Sequence, residues 1–195
     1  MSGAPMTVTH PGFADPVQDS QACFRAVLDA MARPGQIRTI AAAMDPPPML
    51  DAATAAALLT LADADTPLWL DDAASAVRDW ITFHCGAPAT SAASANLALA
   101  LGPVRLDAFP AGTDDAPELG ATVILQVTAL GRGAAFELSG PGLAAAATLT
   151  VDGLPDGFAI EWAANRALFP RGVDVILCAG DRVAALPRTV QVRAA

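Results

Sequence analysis

The chain has 195 residues, 53% hydrophobic and 16% charged, enough apolar material for one buried core and too little charge to stay unfolded. Its formal net charge of -9 argues against a protein whose main task is to coat nucleic acid or an anionic membrane. All 11 basic side chains are arginines, so no side-chain amine exists for a Schiff base, a Walker A lysine or a kinase-type phosphate lysine.

Residues 1–12 read as a flexible tail that lacks the cationic start and apolar stretch of a secretory signal. No window approaches the roughly 18 consecutive apolar residues that cross a bilayer, and a cytoplasmic location is expected. A single domain then spans 13–195. A helix opens at Asp15, an N-cap, with Pro16 in its first turn and Gln18 placed to reach back as in a capping box. Phe24, Val27, Leu28 and Met31 form one apolar stripe predicted to face inward, and Pro34-Gly35 stops the helix. MDPPPML at 44–50 marks a loop. An Ala/Leu-rich helix over 51–62 leads to the extended TPLWL, and a third helix over 72–84 carries Val77, Trp80, Ile81 and His84. ANLALAL, GATVILQV and AAFELS read as strands, FAIEWAANRALF as a helix with Phe158, Trp162 and Phe169 near one face, and VDVILCAGDRVAAL as an antiparallel hairpin. Helix–strand alternation with a late hairpin predicts an α/β domain, a three-layer α/β/α sandwich with a mixed sheet covered by helices on both faces.

Several local patterns invite chemistry. Gly140-Pro141-Gly142-Leu143-Ala144-Ala145 satisfies GxGxxA, but Pro141 stiffens it and strand-like residues return at 148–151, too soon for the helix that would hold pyrophosphate. A tight turn is the expectation. His84 and Cys85 are sequence neighbours that diverge by about 100° on a helix, so they do not pair directly. Cys23, Cys85 and Cys178 are odd in number and far apart, which predicts reduced, packed thiols. Two histidines, three glutamates and no CxxC predict no intrinsic metal. Asp63 and Asp65, and Asp114 and Asp115 near Glu118, read as turn and cap residues before general acids or bases. Residues 166–195 carry Arg166, Arg171, Arg182, Arg188 and Arg193 against Asp174 and Asp181, a balance of +3, whereas residues 1–165 carry 6 basic and 18 acidic groups. Guanidinium forks grip phosphate, phosphonate or carboxylate. A patch facing an anion or an acidic partner is therefore one reading of Arg171 and Arg188, and solubilising surface charge is the other.

Four blocks together, PVQDSQACFRAVLDAMARPG at 16–35, LLTLADADTPLWL at 58–70, FHCGAP at 83–88 and FPRGVDVILCAGDRVAALPRT at 169–189, resemble the PhnH family of the bacterial carbon-phosphorus lyase system, over about residues 11–193. The resemblance implies a subunit of phosphonate utilisation that is a homodimer alone and joins PhnG, PhnI and PhnJ. In that setting an alkylphosphonate replaces adenine on ATP, presented as MgATP, to give ribose 1-phosphonate 5-triphosphate. It also implies a fold like the large domain of PLP-dependent transferases without PLP, in keeping with the absence of lysine. Gln18, Asp19 and Arg25 in the densest block, with His84, become candidates for ligand or partner contact beside Arg171 and Arg188. The rival readings are a stand-alone nucleotide enzyme with an Asp base and a dinucleotide-binding protein built on the GPG loop.

Overall fold

The computed structural model describes residues 10–42 and 44–195. Among these residues are four α-helices, α1 (Pro16–Ala32), α2 (Ala52–Leu61), α3 (Arg78–Cys85) and α4 (Phe158–Arg166), and nine strands. The strands are β1 (Arg38–Thr39), β2 (Leu68–Leu70), β3 (Leu97–Ala100), β4 (Thr122–Gln126), β5 (Ala129–Ser139), β6 (Ala147–Asp152), β7 (Asp174–Ala179), β8 (Arg182–Leu186) and β9 (Gln191–Ala194). A six-stranded sheet runs in the order β1-β8-β7-β4-β3-β2. β2, β3, β4 and β7 are parallel, and the predicted hairpin β7–β8 and the short β1 add antiparallel pairs.

The central strands are apolar on both faces, as parallel strands covered on both sides must be. Leu97, Leu99, Ile124, Ile176 and Cys178 point into one core with α1, α2 and α3. Ala98, Ala100, Val123, Leu125, Val175 and Leu177 point into the other, where α4 contributes Phe158 and Trp162. This second face departs from the expected helix layer. α4 shares it with a three-stranded antiparallel sheet, β6-β5-β9, which supplies Phe136, Leu138, Leu149, Val151 and Val192. The Trp162 indole N–H donates to Val190 O at 2.8 Å and ties α4 to the entry of β9.

α1 begins where its cap predicts: Asp15 Oδ1 accepts from the Gln18 N–H at 3.1 Å. The reciprocal bond comes from Asp19, whose carboxylate accepts from the Asp15 N–H at 3.0 Å, so Asp19 and not Gln18 closes the box. An anionic acceptor in the first turn is also favoured by the helix dipole. The inward face differs from the predicted stripe. Cys23, Val27 and Ala30 are buried, whereas Phe24 and Leu28 are 50% and 54% exposed. Small residues let α1 lie close to the Ala-rich α2, and the larger side chains one position round are turned to solvent. Val17 is exposed as well, and the spacing 17, 24, 28 makes one outward apolar stripe. The predicted helix over 72–84 is a tight 3-10 segment, Ala73–Val77, continued by α3. Phe169 lies beyond α4 and is exposed, so the aromatic stripe is core only at Phe158 and Trp162.

The GPG segment is the turn of the β5–β6 hairpin, followed by a strand and no helix. Gly142 has φ +84°, and a Cβ there would lie 2.6 Å from Ala32 O at the end of α1. Gly142→Val should lower stability by about 1–3 kcal/mol, read as a depressed thermal midpoint. An unchanged midpoint would show that this turn does not press on α1.

Candidate functional site

The candidate residues fall into separate places. Gln18, Asp19 and Arg25 lie along α1, where Gln18 and Arg25 are exposed. Arg25 borders a shallow cleft of about 290 Å³ with Ser20, Gln21, Phe24 and Thr60. His84 sits on α3 with its ring 4.8 Å from that of Trp80 and 5.1 Å from that of Phe83. The Trp80 indole N–H donates to His10 O at 2.9 Å, and His84 Nε2 lies 3.2 Å from the same oxygen. Residues 10–12 are thereby laid against α3, and His84 acts as a latch for them. The rest of the expected tail, residues 1–9, lies outside the described residues.

Arg171 and Arg188 brace one loop. Arg171 Nε is 3.1 Å from Asp114 Oδ1. Arg188 is held more fully: its N–H donates to Asp174 Oδ1 at 2.7 Å and its Nη2 to Asp174 Oδ2 at 2.5 Å, while Nη1 donates to Pro117 O at 2.5 Å. The side chains of this pair are 12% and 16% exposed. Of the other C-terminal arginines, Arg182 Nη1 donates to Leu130 O at 2.7 Å and Arg166 Nε to Thr189 O at 3.3 Å. The electropositive tail read from the sequence is thus distributed among carboxylates and carbonyls, and these four arginines do not converge on one anion.

Open α/β sheets commonly bind ligands beyond the carboxyl ends of their parallel strands. Here that edge is closed by the protein's own groups. Gln126, ending β4, accepts from the Asp51 N–H at 2.8 Å and donates to Met49 O at 3.0 Å. Asp51 Oδ2 accepts from the Gly180 N–H beyond β7 at 2.7 Å. Asp71, following β2, accepts from the Leu101 and Gly102 amides beyond β3 and from Ala74. The Pro-rich loop ending at Leu50 delivers Met49 and Asp51 to this edge, a role for MDPPPML that its composition alone does not reveal.

The thiols are arranged for packing. Cys85 Sγ lies 3.1 Å from Ile81 O in its own helix, and no bond joins it to His84. Burial pushes all three thiols above their ordinary value of 9.0, the reverse of an activated nucleophile. Asp63 binds the Thr66 hydroxyl and the Asp65 N–H in a turn, and the hydroxyl chiefly lowers its pKa. Among the described residues no three His, Cys, Asp or Glu side chains are grouped to hold a metal. With no lysine in the chain, the residues also do not fit PLP, which needs a side-chain amine to carry it.

One concavity was not legible in the sequence. A groove of about 670 Å³ lies between α4 and the turn Leu106–Ala108, lined by Leu106, Phe109, Ile160, Ala164, Leu168 and Val173. Glu161 Oε1 accepts from the Leu106 N–H at 2.5 Å and joins its two walls. The available signal was Ile160, Ala164 and Leu168, at i, i+4 and i+8, a second apolar row off the Phe158–Trp162 stripe.

These features define an α/β scaffold whose polar groups secure loops and strand ends. The family model of the bacterial phosphonate metabolism protein PhnH matches residues 11–193, and the chain belongs to that family. It is 40% identical over 185 residues, 92% of each chain, to the "Alpha-D-ribose 1-methylphosphonate 5-triphosphate synthase subunit PhnH" of Rhizobium meliloti (strain 1021). It is also 34% identical over 174 residues, 88% of this chain and 85% of the relative, to the "Putative C-P lyase subunit protein HtxG" of Stutzerimonas stutzeri.

The raised thiol values make a signed prediction. The unfolded chain releases thiol protons first as pH rises, so this contribution to stability is complete below about pH 9 and is lost progressively above it. Denaturant midpoints should decline above about pH 9, less steeply in Cys178→Ala, and native thiols should resist iodoacetamide near pH 7. Rapid alkylation of native Cys178 at neutral pH would contradict this packing.

Proposed function

We propose that this chain is a subunit of the carbon-phosphorus lyase core complex, inactive on its own, that supports replacement of adenine on ATP by an alkylphosphonate to give α-D-ribose 1-alkylphosphonate 5-triphosphate. The observation that carries the proposal is the near full-length similarity to a relative named as a subunit of the methylphosphonate 5-triphosphate synthase. The geometry supports the expectation that the chain is inactive alone. Arg188 is held by Asp174 and the Pro117 carbonyl, burial pushes the thiols up, and the groove beside α4 has three carboxylates (Asp107, Asp156, Glu161) to one guanidinium (Arg105) on its lining. A lining of net -2 repels a triphosphate.

In this reading the partners are PhnG, PhnI and PhnJ, MgATP is a substrate of the complex, and the setting is cytoplasmic. No helix among the described residues is long and apolar enough to cross a membrane. The domain is read as the large-domain scaffold of PLP-dependent transferases without the cofactor. Alone, the chain forms a homodimer, for which the outward stripe Val17, Phe24 and Leu28 on α1 offers an apolar surface.

The test is adenine release from MgATP and methylphosphonate. The assembled complex should release adenine, the complex lacking this chain should lose most of that activity, and the purified chain should release none. Robust release by the chain alone would overturn the proposal in favour of a stand-alone nucleotide enzyme.

A further inference from the structure

The groove beside α4 has a surface unlike any role already described. Its floor is apolar, formed by Leu106, Phe109, Ala164 and Val173. The one buried polar group there, Asn165, has its amide engaged by both the N–H and the C=O of Val173, at 2.8 and 2.9 Å, so it offers little to a ligand. On the lining Ile160 is 79% exposed and Leu168 39%, and Phe169, next in sequence, is 60% exposed; exposed apolar side chains gathered beside a cleft suit an interaction surface. An occupant that fills the groove and also covers Ile160 and Phe169 must exceed the size of a small molecule.

Charge selects among such occupants. Arg105 pairs with Asp107 on the same turn and Glu161 accepts from the Leu106 N–H, so the lining as a whole keeps three carboxylates, Asp107, Asp156 and Glu161, against one guanidinium. A second copy of this chain carries a net charge of -9 and approaches an acidic mouth against like-charge repulsion. A segment bearing arginine or lysine approaches with steering.

We propose that the groove between α4 and the turn at 105–109 is the docking site for a segment of another polypeptide, one that inserts a large aliphatic or aromatic side chain and flanks it with arginine or lysine. The occupant meets Phe109, Ile160 and Leu168 with its apolar side chain, and its cation lies over Asp156 and Glu161. The inference rests on the subunit reading above and adds to it the surface and the chemistry of one contact.

The experiment uses the full chain co-expressed with the other subunits of its complex. Ile160→p-benzoylphenylalanine is irradiated in the assembled complex and the crosslinked peptide is sequenced by mass spectrometry, with the same photoprobe at Val17 on α1 as the control surface. The crosslink at 160 should fall on a segment of another subunit that has an apolar residue within a turn of arginine or lysine. Ile160→Asp should weaken assembly by about tenfold or more, as expected for loss of a central apolar anchor. Asp156→Asn with Glu161→Gln, which keeps an oxygen for the Leu106 N–H, should weaken it several-fold and flatten its salt dependence. Ile160 is exposed, so its variants should retain the parental melting temperature; because Glu161 binds the Leu106 N–H, the charge variant is compared at matched folded fraction, and both are checked before assembly is measured. If the parental chain assembles and the variants assemble equally well, the groove proposal fails while the subunit reading stands. A crosslink to a second copy, or to an acidic segment, overturns the proposal as well. If the parental chain itself does not assemble, both fall.

Discussion

The Arg188–Asp174 ion pair fixes the amino end of the central strand β7 to the loop that borders the groove beside α4. Asp174 opens β7, in the middle of the mixed sheet, and Arg188 follows β8, its hairpin partner. The guanidinium binds the carboxylate and the carbonyl of Pro117 at once, so one side chain joins the sheet to the 111–120 loop. The approach is close enough that a Cβ on Gly120 would lie 2.3 Å from Gly172 O and 2.6 Å from Arg188 Nη1. Ala111 and Val173, held by this arrangement, line the groove beside α4. A pair so little exposed is costly to break from one side, because the remaining charge loses its partner.

The same use of polar groups recurs across the fold. Asp51, Asp71 and Gln126 bind backbone across the carboxyl ends of the parallel strands, Asp19 caps α1, and Glu161 ties α4 to the 105–109 turn. Each of these groups is spent on an amide or a carbonyl, and apolar surface remains exposed on α1 and beside α4. Such surface suits contact with other chains, in keeping with the subunit names of the relatives.

Local rules carried the sequence reading a long way. The start of α1, the β7–β8 hairpin, the turn at Gly140–Gly142 and the continuously apolar central strands were legible because each depends on a few adjacent residues. The inward face of α1 was not: hydrophobicity favoured Phe24 and Leu28, whereas close packing on an Ala-rich neighbour selected Cys23, Val27 and Ala30. The β6-β5-β9 sheet was missed because β5 and β9 pair over some fifty residues of sequence. Arg188 looked available for an anion because nothing local announces its partner, Asp174, or the distant Pro117 carbonyl. The groove depends on α4 meeting a turn about fifty residues earlier and left only the second apolar row Ile160, Ala164 and Leu168 as a trace.

The claim that these charges hold the fold is most directly tested by a double-mutant cycle on Arg188→Met and Asp174→Asn, with unfolding free energy measured for all four proteins. Each single change should cost about 3 kcal/mol or more, and the pair should show a coupling of order 1–3 kcal/mol. Additive, near-zero effects on stability, together with loss of adenine release when Arg188→Met is placed in the complex, would instead make Arg188 a substrate-binding group and contradict the account.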